Sequence, residues 1–181
     1  QDYFFAYSKN YWVMLKSFIK HNNYKMKIFK FGGASVKDAA SVKNVTNILQ
    51  SEGAKNTVVV ISAMGKTTNA FEDVIDAYYN KLSTLSEKLA VVKGFHKNIM
   101  NELFEEDNAV FKEIDTLLGE LDWFLERNTS SRYNYVYDQI ICFGELLSTK
   151  IVSAYLTKIG VKNNWFDVRN FIKTDSNYRD A

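Results

Sequence analysis

The chain has 181 residues, a formal net charge of +2 and a single cysteine. A chain of this length forms one domain with a sizeable core and buries about 70% of its unfolded surface. The nearly balanced charge argues against a strongly basic face for nucleic acid. The lone cysteine excludes an intramolecular disulfide and fits the reducing cytoplasm. No apolar run reaches the roughly 20 residues of a membrane span.

Residues 1–25 are unusually aromatic. Their apolar side chains fall on one helical stripe, formed by Phe4, Tyr7, Tyr11, Met14 and Phe18. We predict an appended amphipathic helix without a catalytic role, separate from the unit formed by residues 26–181. The same pattern also fits a helix that lies on a membrane surface, packs on the body or mediates self-association. It fits a leader read from an upstream start as well, with Met26 as the ancestral first residue.

The next segment predicts a strand that ends in a lysine and two glycines, Lys30-Phe31-Gly32-Gly33. A lysine in a buried strand is costly unless its charge has a partner. Adjacent glycines let backbone N–H groups approach a phosphate closely, and Asp38 is placed to cap the helix that follows. The pattern indicates a phosphate site in a nucleotide enzyme. The alternative is a tight turn with a solvated lysine.

A βαβ unit is predicted next. An amphipathic helix ends near Gly53, and the β-branched run Thr57–Ser62 is typical of a buried parallel strand. The following Gly65-Lys66-Thr67 resembles the end of a P-loop, but Val60 stands where that motif needs a glycine. The nucleotide site is therefore of another kind.

The middle of the chain predicts helices. Asn69 with Glu72, and Thr84 with Glu87, have the spacing of capping boxes. The polar run 105–108 divides two apolar stripes, which predicts an antiparallel helical hairpin that serves as an insertion between strands or as an oligomerisation surface.

The last third is predicted to be helical from Tyr133 to Ile159, with a break at Gly144 and a C-cap at Gly160. The segment Asn164–Val168 is predicted to be a strand, so the sheet would have about three strands. A polar tail, 174–181, follows without a closing element, and we expect the catalytic unit to be incomplete.

Histidine and cysteine give little sign of chemistry. We interpret His96 as a packed histidine and Cys142 as a buried spectator, since no histidine is near it in sequence. The only other histidine is His21, which excludes a histidine-rich metal site.

Four segments together resemble aspartate kinases, members of the amino-acid kinase family. They are Lys30–Val36, Val60–Gly65 with Thr67–Asn69, Phe143–Ser148 and Trp165–Arg169. The resemblance implies a carbamate-kinase-like α/β fold, a three-layer αβα sandwich around a mainly parallel sheet. It also implies transfer of the ATP γ-phosphoryl group to the side-chain carboxylate of L-aspartate, with Mg²⁺, at the start of lysine, threonine and methionine biosynthesis. The expected partners are L-aspartate, ATP and further copies of the chain, with no nucleic acid and no membrane span.

The resemblance assigns a role to each matching residue. Lys30 is similar to the family lysine that contacts the transferring phosphoryl group, and Phe31, Gly32 and Gly33 belong to the same nucleotide loop. The substrate side is carried by Ser62, Thr68 and Glu145, of which Glu145 would bind the ammonium group of aspartate. No protein metal ligand is implied. Two of the substrate-side assignments have a simpler alternative: Thr68 as a helix cap and Glu145 as a solvated helical glutamate.

The sequence also departs from the family pattern. Ala34 stands where a threonine is frequent, and Arg169 fits a partner for Asp167 as well as a substrate ligand. The later glycine-rich segment and the regulatory domains of the family do not occur before Ala181, so we expect the chain to be inactive alone. Two alternatives are an amino-acid kinase for glutamate, acetylglutamate or UMP, and a non-catalytic assembly module.

Overall fold

A small parallel sheet organises the fold. The computed structural model describes residues 5–6, 26–53, 55–172 and 178. The strands are β1 (Phe5–Ala6), β2 (Lys27–Phe31) and β3 (Thr57–Ile61), in the order β1-β3-β2 with both pairings parallel. Lys30 lies opposite Val60 in the register of β2 and β3.

The central strand β3 is covered on both faces. All five of its residues are buried, although successive side chains point to opposite faces of the sheet. This confirms the buried strand predicted from its β-branched run. By contrast, β2 has no fully buried residue, and Lys30 is exposed. The expectation of a lysine inside a buried strand was therefore wrong, because among the described strands β2 lies at an edge.

Six helices are described. They are α1 (Ala39–Glu52), α2 (Thr67–Tyr79), α3 (Leu85–Leu103), α4 (Ala109–Arg127), α5 (Tyr133–Ile141) and α6 (Phe143–Lys158). Two short 3-10 helices span Gly33–Val36 and Val168–Asn170. The unit β2-α1-β3 is the predicted βαβ motif.

The predicted helix ends are confirmed in some places and wrong in others. Asp38 caps α1 by accepting a 2.7 Å hydrogen bond from the Ser41 amide, and Gly53 ends the helix with φ of +78°. The predicted capping box at Asn69 is wrong, because the cap residue of α2 is Lys66, three positions earlier. Thr84 does precede α3 as predicted, but its side chain forms no cap bond.

Helix α6 lies at the centre of the helical layer. It packs against β3 and every other helix, and ten of its residues are buried. The break from α5 falls at Cys142, two residues before the predicted one at Gly144. A helix surrounded by protein needs apolar residues on all sides rather than on one stripe.

The stretch Tyr133–Lys158 is the one part of the described chain that is long and apolar enough to cross a membrane by length and composition. Polar residues, among them Ser148, Thr149 and Ser153, interrupt its apolar sequence. Of its apolar window, 67% is buried inside the protein. That burial is typical of a core helix.

The predicted hairpin consists of α3 and α4. Lys93 Nζ lies 2.7 Å from an Asp122 carboxylate oxygen, and the two residues are at similar distances from the connecting loop, as in an antiparallel pair. The helices nevertheless pack mainly on other elements, α3 on α2 and α4 on α6. The pair is thus built into the helical layer.

Two predictions of secondary structure were wrong. Residues 164–168 form no strand; side-chain contacts hold this segment, such as the 2.9 Å hydrogen bond from Trp165 Nε1 to Thr149 Oγ1. Phe5 and Ala6, which the N-terminal helix was to include, pair with β3 as a strand. The rest of the segment 1–25 lies outside the described residues, and the boundary at residue 26 stays a prediction.

The interpretations of His96 and Cys142 are confirmed. The His96 side chain is fully buried, and its Nδ1 lies 2.8 Å from the Val92 carbonyl oxygen. Burial raises the pKa of the Cys142 thiol to about 12, so it is protonated at neutral pH and a poor nucleophile.

Candidate active site

The loops that follow β2 and β3 meet at one edge of the sheet. The Ser62 amide donates a 3.0 Å hydrogen bond to the Phe31 carbonyl, and the Gly65 amide donates one of the same length to the Gly33 carbonyl. Parallel strands bring their carboxyl ends to the same edge, where ligands of open α/β sheets bind. The predicted convergence of the two loops is confirmed.

Gly33 is required by this close crossing, whereas Gly32 is not. A Cβ on Gly33 would lie 2.6 Å from the Ala63 carbonyl oxygen and 2.9 Å from that of Gly65. A Cβ on Gly32 would meet no atom within 4 Å. Gly33 is therefore needed to fit the loops together, and the space beside Gly32 is open to a ligand.

We expect the substitution Gly33→Ala to destabilise the protein by about 1–3 kcal/mol, since the new methyl group displaces backbone rather than a flexible side chain. Gly32→Ala is the matched control and should unfold at the wild-type temperature. Thermal unfolding of both variants checks this. Equal melting temperatures for the two would contradict the close packing at Gly33.

Lys30 projects from the carboxyl half of β2. Phe29 and Phe31 stack with ring centroids 6.2 Å apart and pack against the main core, so alternation places Lys30 on the opposite face. Among the described residues no carboxylate forms an ion pair with Lys30. Its ammonium group is thus available to an anionic ligand beside the glycine loop.

The start of α6 closes the site from a third side. A Cβ on Gly144 would lie 3.0 Å from the Ala63 Cβ, which shows how closely α6 approaches the loop after β3. One turn later, Ser148 Oγ donates a 2.8 Å hydrogen bond to the Ser62 carbonyl. These contacts place Glu145 next to the loop after β3.

Glu145 is the most perturbed carboxylate of the site. Burial raises its pKa to about 7, and the backbone N–H groups of Glu145 itself and of Ala63 offset this in part by favouring the charged form. Its Oε2 atom is buried without a hydrogen-bond partner. A buried carboxylate oxygen without a donor is costly, so a ligand with N–H donors would satisfy it. The simpler interpretation, a solvated helical glutamate, is wrong.

Thr68 occupies the first turn of α2, directly after the same loop. It is half-buried and is not the cap residue, since Lys66 holds that position. Its neighbour Thr67 is buried and donates its hydroxyl to the Met64 carbonyl. The interpretation of Thr68 as a helix cap is therefore wrong, and its hydroxyl remains a candidate ligand group.

Arg169 pairs with a protein carboxylate. Its Nη2 lies 2.6 Å from Asp167 Oδ2, and its Nη1 lies 3.6 Å from Cys142 Sγ. Its role as a partner of Asp167 is confirmed. No group of three or more histidine, cysteine, aspartate or glutamate side chains is arranged to hold a metal within the described ranges.

Comparison with known proteins agrees with this arrangement. The model of the amino acid kinase family matches residues 25–180. The chain belongs to the amino acid kinase family. Aspartokinase 2, chloroplastic, from Arabidopsis thaliana is 34% identical over 157 residues, which cover 82% of this chain and 28% of the relative.

Solved structures of family members have the same fold. Aspartokinase III of Escherichia coli in complex with lysine and aspartate (T-state) superposes with a TM-score of 0.74 at 26% identity, covering 86% of this chain and 34% of that one. Its complex with aspartate and ADP (R-state) gives 0.73 at 26% identity, with coverages of 84% and 33%. The predicted α/β fold of this family is confirmed, and the chain spans about a third of these relatives.

Proposed function

We propose that this chain is part of the catalytic domain of an aspartate kinase, which transfers the γ-phosphoryl group of ATP to the side-chain carboxylate of L-aspartate. The observation that carries the proposal is the partnerless carboxylate oxygen of Glu145, buried beside the loops that hold the two glycines. The similarity to plant and bacterial aspartokinases supports the same substrate.

The nucleotide side of the proposed site is formed by Lys30, Phe31, Gly32 and Gly33. The open space beside Gly32 lets backbone N–H groups approach phosphate oxygens. The exposed ammonium group of Lys30 neutralises the charge of the transferring phosphoryl group. Phosphoryl transfer depends mostly on such positioning and charge neutralisation.

Mg²⁺ accompanies ATP in this proposal. When bound, the ion neutralises phosphate charge, and it takes most of its ligands from phosphate and water rather than from a dedicated set of protein side chains. That coordination suits the described residues, which offer no cluster of metal ligands.

The substrate side is formed by Ser62, Thr68 and Glu145. The ionised carboxylate of Glu145 accepts hydrogen bonds from the ammonium group of aspartate, which satisfies its buried Oε2 atom. Ser62 and Thr68 lie at the end of β3 and in the first turn of α2, where hydroxyl donors and the positive end of the helix dipole favour a carboxylate. In the proposed complex the side-chain carboxylate of this aspartate faces the phosphate held by the glycine loop and Lys30.

The reaction then needs no covalent enzyme intermediate. An oxygen of the aspartate side-chain carboxylate forms a bond to the γ-phosphorus, and the bond between that phosphorus and the bridging oxygen of ADP breaks. The products are aspartyl phosphate and ADP. The protein contributes alignment and charge stabilisation of the transferring group.

The test is a comparison of phosphoryl acceptors in the full natural protein. With MgATP, we expect L-aspartate to give an acyl phosphate that hydroxylamine traps, and L-glutamate, acetylglutamate and UMP to give far less. Preference for one of these three acceptors would show that the protein is a different kinase of the same family. A folded protein that binds neither nucleotide nor aspartate would favour the assembly module instead.

We also propose that the enzyme is cytoplasmic and forms a homo-oligomer. Large apolar side chains exposed on the hairpin helices, Val91 on α3 and Trp123 on α4, support a protein contact there.

A further inference from the structure

One peptide group of the loop after β3 is flanked at both ends by α6. The carbonyl of Ser62 accepts the hydroxyl of Ser148 at 2.8 Å. The start of α6 packs on Ala63, where a Cβ on Gly144 would lie 3.0 Å from the Ala63 Cβ, and the Ala63 amide favours the charged form of the Glu145 carboxyl. This carbonyl and this amide belong to the same planar peptide unit. Residues three apart lie on one face of a helix, so Ser148 and Glu145 act on this unit from the same side.

The same residue of the loop is also tied to the nucleotide side. The Ser62 amide donates to the Phe31 carbonyl at 3.0 Å, directly before the glycine loop. A continuous series of hydrogen bonds therefore runs from the end of β2 through Ser62 to α6. Ser148 is fully buried, so its hydroxyl is shielded from solvent.

We propose that Ser148 is a positioning residue that fixes the orientation of the Ser62–Ala63 peptide and thereby holds the Glu145 carboxylate in its substrate-binding place. The hydroxyl of Ser148 prevents this peptide from rotating about its neighbouring bonds. The Ala63 amide consequently stays directed at Glu145, and the distance between the substrate carboxylate and the nucleotide loop is set. The substrate part of this role rests on the proposed function.

Loss of the hydroxyl has a defined consequence. Without Ser148 Oγ the Ser62 carbonyl loses its donor, and the peptide unit can turn towards another partner. The Ala63 amide then leaves Glu145, and the carboxylate loses one of the two backbone donors that favour its charged form. Glu145 becomes harder to ionise and binds an ammonium group less well.

The experiment compares Ser148→Ala with Ser153→Ala in the full natural protein. Ser153 is a matched control, because it is a buried serine of the same helix whose hydroxyl donates a 2.6 Å hydrogen bond to Asn163, outside the site. The pKa of Glu145 is measured by carboxyl-carbon NMR without ligand. Dissociation constants are then measured for L-aspartate and for MgATP.

Ser148→Ala should raise the pKa of Glu145 and weaken aspartate binding on the order of tenfold or more, while MgATP affinity changes less than about twofold. Ser153→Ala should lower thermal stability without either effect. Equal pKa values of Glu145 in the two variants would overturn the proposal. A raised pKa in Ser148→Ala, in a protein that does not bind aspartate, would support the positioning role and refute the proposed substrate.

A second variant covers the case in which Ser148→Ala does not fold. Ser148→Cys keeps the shape of the side chain and leaves no cavity, but its thiol donates only a weak hydrogen bond. It should shift the pKa of Glu145 in the same direction by a smaller amount. A wild-type pKa in Ser148→Cys, with Ser153→Cys as its control, would also overturn the proposal.

Discussion

Replacing Lys30 with methionine should reduce phosphoryl transfer by about 10²–10³-fold in kcat while the protein remains fully folded. The side chain is exposed, and within the described ranges it forms no ion pair, so its removal costs the fold little. Its proposed task is to neutralise charge that develops during the transfer. Steady-state rates with MgATP and L-aspartate measure the loss of kcat, and thermal unfolding measures the stability of the variant.

Lys27 provides the matched control on the same strand. Its ammonium group lies 3.9 Å from a Glu52 carboxylate oxygen at the opposite end of β2, away from the glycine loop. Lys27→Met should leave kcat near the wild-type value. Similar rates for the two variants would contradict a role of Lys30 in phosphoryl transfer. A large loss of stability in Lys30→Met would show that Lys30 has a structural role instead.

Substituting Glu145 with glutamine should abolish aspartate binding and, at the same time, stabilise the protein at pH 8. Wild-type Glu145 is charged in a poorly solvated place, which costs about 3 kcal/mol for a pKa raised from 4.5 to about 7. Glutamine carries no charge, so this cost disappears. Opposite changes in binding and stability are expected when a charge is retained for a ligand.

The pH dependence gives this prediction a definite sign. Because the folded protein holds the Glu145 proton more tightly than the unfolded chain does, wild-type stability falls as the pH rises from about 4.5 to 7. Below pH 4.5 the side chain of Glu145 is uncharged, so the wild type and Glu145→Gln should have similar free energies of unfolding. Aspartate affinity of the wild type should fall about tenfold for each pH unit below 7, since only the ionised carboxylate binds an ammonium group.

Exposed Glu102 on α3 supplies a neutral control for the loss of one carboxylate. Glu102→Gln should change neither aspartate binding nor the slope of stability against pH. If Glu145→Gln bound aspartate as the wild type does, Glu145 would not be the ammonium ligand. Denaturant unfolding at several pH values, with calorimetric titration of aspartate, provides the data.

Local chemistry made part of the fold predictable. Asp38 and Gly53 delimit α1 as expected, because a cap residue and a glycine with positive φ act on their immediate neighbours. The β-branched run of β3 likewise predicted a buried strand. Where tertiary packing decides, the prediction failed. The capping box predicted at Asn69 does not form, because α2 already begins at Thr67, after the tight loop that joins β3 to the helix.

In the candidate site, too, some features could be predicted from the sequence and others could not. Lys30, Gly32, Gly33, Ser62 and Glu145 were found from short motifs, and the structure brings their loops together. The importance of Gly33 over Gly32 could not be read from two adjacent glycines, because it depends on the Ala63 carbonyl 30 positions away. The contact of Ser148 with Ser62 spans 86 positions and left no local pattern beyond a serine one turn after Glu145.

The central place of α6 links substrate binding to the integrity of the whole domain. The βαβ half of the site depends on contacts between neighbouring segments, whereas the Glu145 half exists only while α6 lies against β3 and the other helices. A local unfolding event that separates α6 from β3 would destroy the part of the site that contains Glu145 and would leave the glycine loop in place. A ligand bound to Glu145 therefore adds its binding free energy to the docking of α6. The rate of amide hydrogen exchange along α6 should therefore fall when substrate is bound.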